Sequence, residues 1–204
     1  MSDDKAEHFN VLVVGAGISG IGVAYYLSRR LPGKRFAVLE ARETFGGTWS
    51  VNRYPGVRSD SDMYTFGYSF KPWLKDELAT AEQIRAYLSE VIDENNLGPY
   101  IRYGRRVTAA SWSSDTRMWT VEVTRLDTGE QVTCTADFVW MCQGYYRQDE
   151  GYTPRWPGLE RFTGPVRVFI PRERANPAAA SSRAPATSGS FGASNIPKNP
   201  VRVL

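Results

Sequence analysis

The sequence predicts an α/β fold in which a buried parallel sheet is extended by an antiparallel β-meander. Two short apolar runs at 9–14 and 36–40 flank a stretch with helical spacing that begins at Ser19. A strand, a helix and a strand within about 30 residues form a βαβ unit, whose crossover is right-handed. The continuous apolar run at 138–142 predicts that the chain then returns to this sheet.

The meander is predicted from runs of alternating residues at 106–112, 118–125 and 131–135. Polar turns separate these runs, at 113–116 and at 127–129. Consecutive strands joined by short turns pair antiparallel, so we expect the runs to form neighbouring strands.

Between the two sheet regions the sequence predicts a long loop followed by a helix. Residues 41–75 are rich in Gly, Pro, Arg, Asp and aromatics without periodicity, which is typical of a functional loop region. Thr80 and Gln83 form a predicted capping box. The apolar spacing after them indicates a helix that ends near 95–98.

Composition places the chain among globular proteins and disfavours several partners. Its 204 residues carry a formal net charge of +3 with basic residues scattered among acids, so we expect no nucleic-acid partner. Cys134 and Cys142 lack the spacing of a disulfide framework or a metal site, and we expect reduced thiols and no metal. No apolar run approaches the roughly 20 residues of a membrane span. We therefore expect a cytoplasmic protein and leave membrane-surface association open.

Two segments differ in composition. Residues 1–166 have the composition of one folded domain, whereas 167–204 are rich in Ala, Ser, Pro and Arg and contain a single acid, Glu173. Because this low-complexity tail shows neither the helical nor the strand period, we expect it to be disordered.

The GAGISG motif of residues 15–20 lies between the first predicted strand and the first helix. Gly15 permits a tight turn, Gly17 lets backbone approach a pyrophosphate, and Gly20 lets the helix pack on the strand. The amides of the helix N-terminus then face the phosphates. The motif therefore predicts a Rossmann-like dinucleotide site.

Glu40 follows Gly20 by twenty residues, at the end of the second predicted strand. A carboxylate there can accept both ribose hydroxyls of an adenosine and repels a 2'-phosphate, which favours FAD or NAD over NADP. Gly46-Gly47-Thr48-Trp49 favours FAD, since backbone can lie against a ribityl chain while the indole walls a flat ring. The alternative is that the glycine pair is only a turn and Trp49 only core.

A family resemblance strengthens the choice of FAD. The strings GAGISG, GGTW, RYPGVRSDSDMYTFGYSF and MCQGYYRQDEGY resemble the class B flavoprotein monooxygenases, which include flavin-containing and Baeyer–Villiger monooxygenases. The ethionamide-activating FAD-containing monooxygenases are the most similar type within this family. The resemblance runs from residue 9 to about residue 166 and implies that 1–166 is the N-terminal, FAD-binding domain of such an enzyme.

The motifs and the resemblance together assign roles to individual positions. Asp60 would be the catalytic carboxylate beside the isoalloxazine, and the loop around it would meet the nicotinamide of NADPH. The structural alternative is an ion pair between Arg58 and Asp60, and Tyr145 and Tyr146 are expected to pack. The expected cofactor-binding residues are Gly15, Gly17, Ser19, Gly20, Glu40, Gly47, Thr48, Trp49, Arg58, Ser59, Asp60 and Val107.

The resemblance also implies an activity. NADPH reduces FAD, and O2 then gives a C4a-peroxyflavin that oxygenates a ketone, a thioether or a thioamide-like substrate. The family pattern is lost after Gly164, because Val168 stands at its histidine position and Arg172 and Glu173 at its Trp-Pro pair. We therefore expect a truncated FAD- and NADPH-using monooxygenase that is inactive alone. The alternatives are a non-catalytic flavin-binding module acting with a complementing chain, and an NAD dehydrogenase.

Overall fold

The computed structural model describes residues 6–146 and 154–164, together with the backbone of 201–202. Short 3-10 helices lie at Gly98–Tyr100 and Leu159–Arg161. The other elements, in chain order, are β1 (Glu7–Val14), α1 (Ile18–Arg30), β2 (Phe36–Leu39), α2 (Thr48–Val51), α3 (Met63–Phe66), α4 (Ala81–Glu94), β3 (Ile101–Arg102), β4 (Arg105–Ser113), β5 (Met118–Arg125), β6 (Gln131–Met141) and β7 (Val201–Arg202).

These strands form one seven-stranded sheet in the order β3-β2-β1-β6-β5-β4-β7. The pairs β3-β2, β2-β1 and β1-β6 are parallel, whereas β6-β5, β5-β4 and β4-β7 are antiparallel. The predicted combination of a parallel sheet and an antiparallel meander is therefore confirmed.

β6 belongs to both halves of the sheet. Its first part pairs with β5 as far as Ala136, and from Cys134 onward it pairs with β1. The prediction of two strands, at 131–135 and 138–142, is wrong in this respect. Asp137 interrupts the apolar pattern without interrupting the strand, because it is exposed and its carboxylate accepts a hydrogen bond from the Asn10 side chain at 2.8 Å.

The loop and helix predictions are largely confirmed. The capping box at the start of α4 is complete, since Thr80 N donates to Gln83 Oε1 at 2.8 Å and Gln83 N donates to Thr80 Oγ1 at 3.2 Å. Three short elements are not predicted from the sequence: α2 and α3, which lie within the predicted loop 41–75, and β3. Each of these elements is too short to show a periodic pattern in the sequence.

The core lies on both faces of the parallel sheet. Because alternate residues of a strand point to opposite faces, β1 contributes to both sides. Val11 and Val13 pack with α1 and α4, whereas Leu12 and Val14 pack with the meander strands. Burial on both faces explains why β1 is a continuous apolar run.

The predicted tail is mostly outside the described residues. This holds for Val168, Arg172 and Glu173, where the family pattern is lost. Within the tail only the backbone of Val201–Arg202 is described, and it pairs with β4 at Ala109 and Ala110. The disorder predicted for 167–204 and the domain boundary at 166 stay predictions.

A charged cluster joins the first residue of β1 to its neighbours in the sheet. Arg102 Nη1 donates to Glu7 Oε2 at 2.6 Å, Arg102 Nη2 donates to Glu7 Oε1 at 2.9 Å, and Arg35 also bonds Glu7. Both guanidinium carbons lie 4.9 Å from the centroid of the Phe9 ring. The hydrogen bonds from Arg102 lower the pKa of Glu7 despite its partial burial.

We expect Glu7→Gln to lower the free energy of unfolding at pH 7 by about 1 kcal/mol or less, since the pair is partly exposed. A lowered pKa in the folded state means that the stabilisation is complete above the ordinary value of 4.5 and is lost as the pH falls through the lowered one. Urea unfolding at several pH values measures this. The two proteins should converge in acid, and a difference that persists there would contradict the assignment, as would an equal loss in the exposed control Glu122→Gln.

Candidate nucleotide-binding site

A cavity of about 970 Å³ opens where β1, β2 and β6 end. Ligands of open α/β sheets bind outside the carboxyl ends of the strands, so this is the expected edge for a nucleotide. The lining comes from the segments that follow these strands, from the start of β4 and from the loop after β2: Val14, Gly15, Gly17, Ile18, Ser19, Leu39, Glu40, Ala41, Arg42, Gly46, Gly47, Thr48, Trp49, Asp60, Phe66, Arg105, Arg106, Val107, Thr108, Met141, Cys142, Gln143, Gly144, Tyr145 and Tyr146.

Two glycines of the GAGISG motif are required by the fold itself. Gly15 has a φ of +102°, and a Cβ there would lie 2.6 Å from the carbonyl oxygen of Cys142. A Cβ on Gly20 would lie 1.8 Å from the carbonyl oxygen of Gly15. Gly20 therefore packs behind the loop and is not among the cavity-lining residues.

Gly17 differs from them because the protein has room for a side chain there. Its φ is −76°, and the nearest atom to an added Cβ is Gly47 Cα at 3.8 Å. The first turn of α1 has no side-chain cap and no acidic residue, so no side chain of that turn occupies its amides. A glycine that the fold does not need, at the open end of a helix in a cavity, fits a phosphate placed directly against the backbone.

The Ala16 peptide connects the three segments that form the central wall of the cavity. Its N–H donates to Glu40 Oε2 at 2.7 Å, and its carbonyl oxygen accepts from Gly46 N at 2.9 Å. Arg42 N donates to the other carboxylate oxygen of Glu40 at 2.9 Å. The buried Glu40 side chain, only 7% exposed, therefore orders the loop after β1 and the loop after β2.

Glu40 keeps acceptor capacity for a ligand. An ionised carboxylate has about four lone-pair positions, and the Ala16 and Arg42 amides use one on each oxygen. One position per oxygen is left at the cavity wall, which matches the two hydroxyls of a ribose. The chemistry predicted from the position of Glu40 is therefore compatible with its hydrogen bonds.

The Gly46-Gly47 pair is both a turn and part of the cavity wall. Its φ values are +108° and +52°, and a Cβ on Gly46 would lie 2.4 Å from Ser50 Oγ. Gly47 precedes α2, whose first residues, Thr48 and Trp49, line the cavity. The Trp49 ring also packs against the core cluster that contains α1 and α4, and its centroid lies 6.3 Å from that of the Phe66 ring in an edge-to-face arrangement. The segment is therefore part of the core and part of the cavity wall, so the two alternatives given for it in the sequence are not exclusive.

The loop that carries Asp60 brings only part of its predicted set to the cavity. Asp60 is exposed and lines it, whereas Arg58 and Ser59 do not. Ser59 is 3% exposed, with its N–H bonded to the carbonyl of Ala79 and its hydroxyl to that of Ser61, each at 2.8 Å. Arg58 Nε donates to the carbonyl oxygen of Gly56 at 3.4 Å.

Of the predicted positions, the structure therefore brings nine together and leaves three outside. The three outside are Gly20, Arg58 and Ser59. The nine that line the cavity are Gly15, Gly17, Ser19, Glu40, Gly47, Thr48, Trp49, Asp60 and Val107.

The segment after β6 is a part of the site that the sequence reasoning missed. Tyr145 and Tyr146 are 87% and 69% exposed at the cavity, so the expectation that they pack into the protein is wrong. Burial raises the pKa of the Cys142 thiol to about 11, which keeps it neutral beside the glycine loop. Gly144, after an apolar run, was the available signal, because it marks a strand end as Gly15 does.

Comparison with known proteins relates this geometry to a family. Residues 13–80 match the family described as "NAD(P)-binding Rossmann-like domain". The chain is 51% identical over 156 residues to the probable FAD-binding monooxygenase AlmA of an Acinetobacter species, covering 76% of this chain and 31% of that protein. It is 44% identical over 161 residues to the FAD-containing monooxygenase EthA of Mycobacterium tuberculosis, covering 78% and 32%.

Most of the chain is homologous to FAD-containing monooxygenases. Solved structures agree with this relationship: an oxidized steroid monooxygenase bound to NADP superimposes with a TM-score of 0.61 at 36% identity, over 77% of this chain and 30% of that one. A closed cyclohexanone monooxygenase gives 0.62 at 30% identity, over 78% and 30%. The chain spans about a third of the length of the curated monooxygenases that it matches.

Two further findings concern the environment of the protein. Cys134 and Cys142 are both free thiols. Within 6–146 and 154–164, no helix has the length and apolarity needed to cross a membrane.

Substitution by alanine should lower the free energy of unfolding strongly at Gly20 and only slightly at Gly17. Gly20→Ala places a methyl group against the Gly15 carbonyl, and we expect a loss of several kcal/mol in unfolding free energy, about 3 or more, or failure to fold. In Gly17→Ala the nearest atom to the added methyl group lies 3.8 Å away, so the unfolding free energy should change by about 1 kcal/mol or less. Urea unfolding of both variants measures this, and similar losses for both would contradict the distinction.

Proposed function

We propose that this chain binds FAD in the cavity and forms the flavin-binding part of an NADPH-using monooxygenase. The observation that carries the proposal is Gly17, a cavity-lining glycine that the fold itself does not require, beside the amide-bonded carboxylate of Glu40. The monooxygenase relatives, with FAD in the names of the curated proteins, support the same cofactor.

Different lining residues of the cavity would contact different parts of FAD. The amides at the start of α1, from Gly17 onward, would hold the pyrophosphate, and Glu40 would accept the ribose hydroxyls. The backbone of Val107 would contact the adenine, while Thr48 and Trp49 would lie against the ribityl chain and the ring. When bound, FAD supplies the redox and oxygen chemistry of such an enzyme.

The residues of the chain supply position, exclusion of water and charge. Trp49 and Phe66 form an aromatic wall that would shield one part of the cavity from water. Asp60 adds a carboxylate to the lining of the same cavity, where a fixed charge can interact with the charge that develops on a flavin. Arg58 and Ser59 remain proposed neighbours of the nicotinamide, and the buried hydrogen bonds of Ser59 would hold Asp60 in place.

The proposed substrates are O2 and a small ketone, thioether or thioamide-like molecule. A cyclohexanone monooxygenase is among the structural relatives, which supports the ketone class. The free thiols are compatible with a reducing, cytoplasmic compartment.

A second candidate is a flavin-binding module that does not turn over by itself and acts with a complementing chain. One observation favours it: residues 1–204 contain one GxGxxG motif, at residues 15–20, and one such motif forms one dinucleotide site. Under this proposal a second chain would bring the site for NADPH.

The visible absorption spectrum of the purified chain after incubation with FAD and gel filtration tests the proposal. We expect a retained flavin spectrum for the natural sequence and an affinity lowered by about tenfold or more in Gly17→Ala, because the methyl group keeps phosphate away from the amides. A colourless protein, or equal affinity in the variant, would contradict it. Bleaching of the bound flavin by NADPH supports the enzyme, and flavin retained but unbleached supports the module.

A further inference from the structure

The side chain of Tyr68 is inserted between the first turn of α1 and α4. Its hydroxyl donates a hydrogen bond to the carbonyl oxygen of Ile18, in the first turn of α1. A helix carbonyl can accept such an additional bond because its oxygen has two lone pairs. A side chain that is held elsewhere and bonded to this carbonyl restrains the position of the turn.

Gly22 makes room for this insertion. A Cβ at Gly22 would lie 2.9 Å from Cε1 of the Tyr68 ring. Gly22 has no positive φ and is not one of the three glycines of the GxGxxG motif, so its backbone conformation does not require glycine. The close approach of the aromatic ring is the reason that the structure offers for this residue.

Tyr68 is held rigidly from the other side by α4. Its N–H donates to Tyr87 Oη at 2.8 Å, and Tyr87 Oη donates to the carbonyl oxygen of Lys71 at 2.6 Å. The Tyr68 ring stacks on Phe70, with centroids 4.7 Å apart, and on Tyr87 at 5.6 Å. Burial raises the pKa of Tyr68 well above its ordinary value, so the hydroxyl keeps the proton that it donates.

We propose that Tyr68 is a positioning residue for the cofactor: its hydroxyl, bonded to the carbonyl oxygen of Ile18, fixes the position of the first turn of α1. That turn carries the amides of Gly17, Ile18 and Ser19, all at the cavity. Tyr68 is not itself among the cavity-lining residues, so it acts through the helix. The inference rests on the proposed FAD site and adds to it a residue that the motif does not contain.

Tyr68→Phe tests the inference because it keeps the ring against Gly22 and removes only the hydroxyl. In the protein without FAD, we expect faster hydrogen exchange at the Gly22 amide, because it belongs to the turn that loses its contact with the hydroxyl. With FAD, we expect affinity to fall by about tenfold and the 31P resonances of the bound pyrophosphate to shift. Tyr64→Phe is the matched control: the Tyr64 hydroxyl, four residues earlier in α3, donates to the carbonyl oxygen of Lys75 at 2.9 Å, and its removal should leave all three readouts unchanged.

The outcomes separate the two levels of the proposal. Faster exchange at Gly22 with unchanged FAD affinity and an unchanged 31P spectrum would overturn the inference alone, because the hydroxyl would then support only the helix. A wild-type chain that takes up no FAD would overturn the proposed function and the inference with it. If Tyr68→Phe does not fold, Gly22→Ala displaces the ring instead, and the same losses are expected.

Discussion

The hydrogen bonds of the Glu40 carboxylate are the interaction on which the geometry of the cavity depends. One oxygen is bonded by the Ala16 amide and the other by the Arg42 amide, so a single buried anion orders the ends of two neighbouring strands. The Gly46 amide extends this arrangement through the carbonyl of Ala16. A charged acceptor for backbone amides is among the stronger hydrogen-bonding groups of proteins, and burial increases its effect.

The sheet brings the remaining parts of the cavity to the same edge. β1 and β2 are parallel neighbours and β6 lies on the other side of β1, so Gly15, Glu40 and Cys142 follow strand ends that lie side by side. β6 also continues from the meander, which brings Val107 of β4 to the same cavity. One strand shared by both halves of the sheet therefore connects the two ends of the site.

Local chemistry explains why much of the fold and part of the site could be predicted from the sequence. Gly15 and Glu40 stand directly after apolar runs, and the requirement for a tight turn or for a carboxylate is visible in the sequence itself. The contacts that could not be predicted join residues distant along the chain. The Ala16–Gly46 hydrogen bond and the hydrogen bond from Tyr68 to the Ile18 carbonyl depend on tertiary packing, for which no period or motif exists.

In the proposed site the Glu40 carboxylate both orders the cavity wall and binds the cofactor. The most direct measurement is the dissociation constant of FAD for Glu40→Gln, by flavin fluorescence, with Glu43→Gln as the control because Glu43 is an exposed acid in the same loop. An amide leaves one oxygen to accept and presents an N–H group in place of the other. We expect the FAD affinity to be weaker by about tenfold or more in Glu40→Gln and unchanged in Glu43→Gln. Equal affinity in wild type and Glu40→Gln would contradict it.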